Sequence, residues 1–350
     1  MSKNILVAPL NWGLGHATRC IPIINALLET EFNPIIASDG LALELLRKEF
    51  PNLTCIELPS YNIKYPKKGS FFLLKLLLNS PTIIRAIIKE KKEVSKIVKK
   101  YDVGGIISDN RLGVRSKKVP SVFITHQLNI KSGITTKISS KIHQIIVNKY
   151  AECWVPDVAG FPNLSGDLGH LKFPNPNIKY IGPLSRFNKV DAEIKYDLMV
   201  LLSGPEPQRT FLEEILIVEL QNFIGNIIFV KGQIEEKQTS EVVNNITFFN
   251  FMESSQLEET INQSELVLCR SGYTTIMDLA KLEKKAFFIP TPGQFEQEYL
   301  AKKFKEEGII PYCKQNKFTI RKLLETDVYK GFTDFSVENN WHELFKIFRA

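Results

Sequence analysis

Short apolar runs alternate with longer segments of helical periodicity along almost the whole chain. The run at residues 5–9 has the length of a buried strand, and the segment 17–29 places Ile21, Ile24, Ala26, Leu27 and Leu28 on one broad apolar side. Runs at 34–37 and 53–58 enclose a helical pattern at 41–50, and two more stand at 103–108 and 122–125. The second half repeats the rhythm with runs at 197–202, 227–230, 246–249, 266–269 and 286–289. Helical patterns start at Phe211, at Thr274 or Thr275 and near Gln297, and others cover 258–263, 318–326 and 341–349. Strands alternating with helices in this way predict an α/β chain built on parallel, doubly wound sheets.

The alternation is interrupted once. Proline, glycine and asparagine punctuate 166–191, with prolines at Pro174, Pro176 and Pro183. Taking 177–181 as a last strand and 182–194 as a hinge gives two domains, 1–183 and 184–350. A chain of 350 residues is long enough for each to bury its own core.

With 44% hydrophobic and 24% charged residues, the composition is that of a globular protein. The net charge of +7 suits an acidic substrate or an anionic membrane surface and gives no argument for nucleic acid. Cys20, Cys55, Cys153, Cys269 and Cys313 stand apart without a CxxC pair, which reads as free thiols in a reducing compartment and no metal site. No apolar run approaches the roughly 20 residues of a membrane span, and the first strand begins too early for a signal peptide. A cytoplasmic location is the expectation. One stretch departs from the ordinary: Phe71 to Leu78 and then Ile83, Ile84, Ile87 and Ile88, broken by Pro81 and surrounded by lysines. It reads equally as two helices with a solvated basic face or, across 64–100, as an interfacial surface for anionic lipid.

The stretch 266–301 gathers the most chemistry. Ligands of open α/β sheets bind at the carboxyl ends of the strands. There the turn Arg270-Ser271-Gly272 leads into a helix whose first N–H groups favour phosphate, with Thr274 in its first turn. Asp278 one turn on and Gln297 at the start of the next helix supply partners for sugar hydroxyls. The loop after 197–202 adds Ser203, Gly204, Gln208 and Arg209, since Pro205 and Pro207 have no N–H to offer. Arg209 is suited to grip a diphosphate through two parallel hydrogen bonds.

In their order, Arg270-Ser271-Gly272, Asp278 and the proline loop from Pro290 to Gln297 resemble the nucleotide-sugar site of one enzyme family. These are the GT-B glycosyltransferases related to the peptidoglycan lipid-intermediate N-acetylglucosaminyl transferase, with a family 28-like C-terminal domain. Asp278 stands where that family has glutamate, and Leu300 where it usually has asparagine. The resemblance implies two Rossmann-like domains facing each other across a cleft, the second holding a nucleotide sugar, expected to be a UDP-sugar. It implies a sugar- or lipid-linked acceptor on the first domain, and a terminal helix, 341–349, packing back on that domain. It further implies inverting transfer without metal or cofactor, by a cytoplasmic enzyme peripheral to the membrane.

The first half fits an acceptor pocket. Asn11-Trp12-Gly13-Leu14-Gly15-His16 is a glycine-rich turn after strand one, and Gly15 lets a ligand approach closely. The strands 103–108 and 122–125 deliver Asp109 and His126 to the same sheet edge. Ile124 to Asn129 is similar to the family's His-Glu-Gln-Asn motif, departing at Gln127 and Leu128, so Asn129 joins the acceptor set. An acceptor hydroxyl is a poor nucleophile and needs a base within hydrogen-bond reach. Asp109 and His16 stand equal for that role, with His126 as a positioning residue. Two other readings share the architecture: a nucleotide-sugar 2-epimerase, and a catalytically idle nucleotide-sugar-binding protein.

Overall fold

The structure is a computed structural model that describes residues 2–61, 80–131, 136–172, 175–233, 235–333, 335 and 337–349. The apolar series from Phe71 to Leu78 therefore lies outside the described residues. The chain divides into two compact units. One is drawn from 2–186 and 337–349, the other from 187–335.

The first unit is built on a seven-stranded, wholly parallel sheet. Its strands are β1 (Lys3–Pro9), β2 (Phe32–Ser38), β3 (Cys55–Glu57), β4 (Val103–Asp109), β5 (Ser121–Ile124), β6 (Glu152–Val155) and β7 (Ile178–Tyr180). They lie in the order β3-β2-β1-β4-β5-β6-β7. The crossovers carry α1 (Gly15–Leu28), α2 (Gly40–Glu49), α3 (Ser80–Lys100) and α4 (Thr136–Val147). Leu6, Ala8, Ile35, Ala37 and Ile106 pack with Val94 and Ile97 of α3, so one helix face is buried on the sheet as its periodicity requires. Pro81 occupies the first turn of α3, where a missing N–H costs no hydrogen bond.

Strand order reverses at β1, whose neighbours are β2 and β4, and ligands bind at such switch points. The register pairs Pro9 with Asp109, so the loop leaving β1 runs beside the last residue of β4. That register carries the site below.

The first unit closes on residues far along the chain. A single α-helical turn, α9 (Trp341–Leu344), continues as a 3-10 turn at Phe345–Phe348, where one regular helix over 341–349 was expected. Phe345 and Phe348 are fully buried and meet the rings of Phe32 and Trp154, and Lys3 Nζ donates to the Phe348 carbonyl at 2.7 Å. A Cβ on Gly105 of β4 would come 2.3 Å from the Phe348 ring, so glycine makes room for this packing.

The second unit holds a six-stranded sheet in the order β10-β11-β9-β8-β12-β13. Its strands are β8 (Tyr196–Leu201), β9 (Ile227–Val230), β10 (Ser240–Val243), β11 (Ile246–Phe249), β12 (Ser264–Cys269) and β13 (Lys285–Phe288). Its helices are α5 (Gln208–Glu219), α6 (Ser254–Asn262), α7 (Tyr273–Lys281) and α8 (Phe295–Glu306). Leu201, Cys269 and Phe288 stand in register at the carboxyl ends of β8, β12 and β13, so their three loops share one edge.

Several elements differ from the expectation. β10 pairs antiparallel with β11 in a hairpin that turns at Asn244, whose φ of 55° asparagine tolerates. The expected helix at 318–326 is a 3-10 helix over Ile320–Val328, and that at 258–263 begins earlier, at Ser254. The strand β6 and helix α4 belong to neither apolar run nor helical pattern as read above.

Candidate active site

In the first unit, the loop from β1 delivers His16 as the second residue of α1, and its Nδ1 lies 2.9 Å from Asp109 Oδ1. His16 is 14% exposed, whereas Asp109 is completely buried. Arg19, one turn further along α1, donates through Nε to Asp109 Oδ2 at 2.5 Å and through a terminal nitrogen to Oδ1. Burial pushes the Asp109 carboxyl up, but Arg19 and then His16 outweigh it and hold it at about 2. Asp109 is therefore held ionised and faces the imidazole, an arrangement that favours His16 of the two candidates named from the sequence. His16 keeps a lowered pKa, first through burial and then through the charge of Arg19.

His126 follows β5 and joins the same cluster, its Nδ1 3.2 Å from an Arg19 terminal nitrogen. Asn129 does not. Its Nδ2 donates to the carbonyls of Asp167 and His170, so this amide nitrogen ties down the 166–170 turn. Gly15 begins α1, directly before His16.

The first unit also has an open cavity of about 620 Å³, lined in part by Asn11, Asp39, Gly40, Pro59 and Glu93. A buried ion network holds its walls. Arg111, 0% exposed, donates to Glu90 at 2.5 Å, to Asp39 at 2.6 Å and to the Pro59 carbonyl at 2.7 Å. Glu90 also accepts from the Tyr61 hydroxyl at 2.6 Å, anchoring α3.

In the second unit the loops after β8, β12 and β13 meet. Gly204 has a φ of 102°, which only glycine adopts readily, and its missing Cβ would face Thr291 Oγ at 3.8 Å. Gly272 is the N-cap of α7, so no side chain caps that helix. Thr274 lies in its first turn, and Asp278 is half-buried one turn on.

Three of the expected donor contacts have other work. Arg209 is 5% exposed and enclosed by carboxylates: Nε donates to Glu206 at 2.6 Å and a terminal nitrogen to Glu213 at 2.6 Å. Its charge is met within the unit by these two carboxylates, so it braces the start of α5, and these bonds lend no support to the expected diphosphate grip. Ser271 Oγ donates to the Gln297 carbonyl at 2.8 Å, and Gln297 Oε1 accepts from the Thr291 N–H at 2.8 Å. Leu300 is wholly buried and belongs to the core.

Arg270 differs from Arg209. It is 1% exposed and bonds only neutral acceptors, the carbonyls of Ile289, Pro290 and Gln208 and the side chain of Gln315. Among the described residues no carboxylate pairs with it, and burial lowers its pKa to about 10. Arg270 Nε, Gln208 Oε1 and Thr291 Oγ are buried without hydrogen-bond partners. An uncompensated buried cation beside orphaned polar atoms is costly, and an anion at this edge relieves that cost.

Arg19 escaped the sequence reading, although its signal was present. It is an arginine on the sheet-facing side of an otherwise apolar helix, three residues after His16 and so on the same face. Thr291 and Gln315 carried no signal of their own. They matter only because the fold folds their loops under Arg270.

Two α/β domains on largely parallel sheets, with loops gathered at the carboxyl edges, have the architecture of the GT-B fold, and comparison with solved structures agrees. The "Crystal structure of acinetobacter baumannii MurG" superposes with a TM-score of 0.57 at 15% identity, covering 94% of this chain and 91% of that one. "Spinosyn Rhamnosyltransferase SpnG complexed with thymidine diphosphate" gives 0.62 at 13%, covering 94% and 93%. Residues 208–334 match the glycosyltransferase family 28 C-terminal domain. The UDP-N-acetylglucosamine--N-acetylmuramyl-(pentapeptide) pyrophosphoryl-undecaprenol N-acetylglucosamine transferase of Haemophilus ducreyi is 26% identical, over 93% of this chain and 88% of that protein. The chain is a nucleotide-sugar glycosyltransferase, similar over residues 208–334 to the family 28 C-terminal domain.

Proposed function

We propose that this enzyme transfers a sugar from a UDP-sugar to a hydroxyl of a lipid-linked acceptor, with inversion at the sugar. The second unit binds the donor through Ser203, Gly204, Gln208, Arg270, Gly272, Thr274 and Asp278. Developing charge on the leaving diphosphate is met by Arg270 and the start of α7. The first unit activates the acceptor. His16 Nε2 takes the hydroxyl proton as the oxygen attacks the anomeric carbon, and the bond to the diphosphate breaks with its electrons leaving on UDP. The His16–Asp109 pair at the switch point is the observation that carries this reading. The choice of UDP and of a lipid-linked acceptor rests on the name of the Haemophilus ducreyi relative.

We further place the enzyme at the cytoplasmic face of the membrane. Among the described residues no helix is long and apolar enough to cross a membrane. α3 exposes Ile84 and Ile88 among Arg85, Lys89, Lys91 and Lys92, which supports the lipid reading of 64–100. α4 adds a second such face: its exposed residues are Lys137, Ile138, Lys141, Ile142 and Ile145, and 110–151 contain no aspartate or glutamate.

Mixing the enzyme with UDP-N-acetylglucosamine and a short-chain lipid-linked acceptor should release UDP only when the acceptor is present. His16→Ala should slow that release by about 10²-fold or more. Chelating divalent ions should leave the rate unchanged. UDP release without acceptor, accompanied by a 2-epimerised sugar, would instead indicate the epimerase. Donor binding without any turnover would indicate an idle protein.

A further inference from the structure

At the carboxyl edge of the first sheet one guanidinium meets three titratable side chains. Arg19 is 2% exposed. It donates to both oxygens of Asp109, one terminal nitrogen lies 2.8 Å from His16 Nδ1, and the other lies 3.2 Å from His126 Nδ1. We propose that Arg19 is the positioning residue of the acceptor-activating pair, neutralising Asp109 so that His16 rests as an uncharged base, and holding His16 and His126 in opposite tautomers. This rests on the reading of His16 as the base.

A carboxylate alone against an imidazole stabilises the imidazolium and raises its pKa. A histidine already protonated at neutral pH accepts no proton from a hydroxyl. Here the carboxylate is shared. The groups facing His16 are Arg19 on its own helix, Asp109 from β4 and His126 from the loop after β5. Burial and then Arg19 pull its pKa down, and together they outweigh the upward pull of Asp109. The Cys20 thiol, 3.7 Å from Asp109 Oδ2, is pushed well up by burial and stays protonated.

The tautomers follow from what each partner can offer. A guanidinium has only donors, so His126 Nδ1 accepts and its hydrogen sits on Nε2. An ionised carboxylate has only acceptors, and the Arg19 terminal nitrogen 2.8 Å from His16 Nδ1 is the one that donates to that same carboxylate, so His16 Nδ1 carries its hydrogen toward Asp109 and leaves the lone pair on Nε2. In the opposite His16 tautomer a nitrogen lone pair would face the anionic oxygen at 2.9 Å. A single arginine thus makes one imidazole a proton acceptor and the other a hydrogen-bond donor. That division suits an acceptor whose attacking hydroxyl loses its proton while a neighbouring oxygen is held.

Imidazole nitrogen–proton correlation NMR reads tautomer and titration without substrate, so its outcome stands apart from whether sugar is transferred. The wild type is expected to show His16 protonated on Nδ1, His126 protonated on Nε2, and a His16 midpoint below that of free histidine. Arg19→Met should raise that midpoint by about one pH unit or more, because Asp109 is then unopposed. In turnover, the acid limb of kcat/KM should move up with it while the donor KM stays put. Arg19→Lys keeps the charge and should restore the low midpoint, yet lose the fixed His126 tautomer, since one ammonium cannot fork to three groups. Should Arg19→Met not fold, Arg19→Met/Asp109→Asn removes both charges, and burial alone should leave the midpoint low. A wild-type His16 protonated on Nε2 overturns the proposal without any variant, as does an Arg19→Met midpoint equal to the wild type.

Discussion

Ser271 Oγ donates to the main-chain carbonyl of Gln297 at 2.8 Å, fastening the turn after β12 to the first turn of α8. Gln297 passes the constraint on, its Oε1 accepting from the Thr291 N–H at 2.8 Å. Two residues whose types match sugar or phosphate contacts thus use these atoms to shape the loops. Gln297→Glu keeps an acceptor for Thr291 and should leave the donor KM within about threefold, at a stability cost below about 1 kcal/mol. Gln297→Ala leaves a buried N–H unpaired and should cost about 1–3 kcal/mol in urea unfolding, with donor affinity falling about tenfold. Equal loss in both variants would mean that the amide nitrogen touches the donor.

Arg209 should behave as a structural residue. Removing it leaves Glu213, 13% exposed, facing Glu206 with only Lys231, 4.0 Å away, as a cation. Arg209→Ala is expected to lower unfolding stability by about 1–3 kcal/mol and to change the donor KM of the folded fraction little. A large rise in KM with unchanged stability would return Arg209 to the diphosphate.

His143 gives the fold an acid-sensitive point. It lies on α4, 8% exposed, with Nδ1 buried and unpartnered, and burial lowers its pKa to about 4. Its folded value is below the unfolded 6.5, so between the two the unfolded chain binds a proton that the native protein does not. Stability is therefore full above about pH 6.5 and falls as pH drops toward 4, by up to about 3 kcal/mol from this residue. His16, also lowered, adds in the same direction. His143→Leu should flatten the decline in urea midpoints between pH 7 and pH 4. A slope identical to the wild type would remove His143 as its source.

Contact with lipid is expected to depend on the exposed isoleucines. Vesicles rich in anionic lipid should sediment the protein at low salt and release it at high salt. Ile142→Glu, 55% exposed and outside both cores, should weaken sedimentation about tenfold or more while leaving unfolding unchanged. Undiminished binding would clear α4 of that role.

The strand–helix rhythm was legible because burial on both faces leaves uninterrupted apolar runs, and the positions of β1, β4, β8 and β12 follow from it. The hairpin β10–β11 was missed because Ser240–Val243 is exposed throughout and has no apolar run to show. Its turn, Asn244-Asn245, was the readable sign. At the site, His16 and Asp109 were legible as residues at strand ends, but the burial that separates their roles is a property of packing. The carboxylate partners of Arg209 were legible too, since Glu206 and Glu213 stand three residues before it and four after, the spacing at which helix side chains meet. Arg270 is the converse case: no local pattern reveals that a buried cation lacks a carboxylate.

Phe345 and Phe348 fill the face of β4 that Gly105 leaves open. During synthesis the chain emerges from its amino end, and domains generally fold in that order as they appear. Here the earlier-made unit waits. The patch of β4 beside Gly105 stays uncovered until Phe345 and Phe348 are made, by which time the stretch 187–335 has already been synthesised. The order of translation and the order of completion are thus reversed, and a nascent chain stalled short of its closing aromatic residues leaves open a patch of β4, the strand that ends in Asp109.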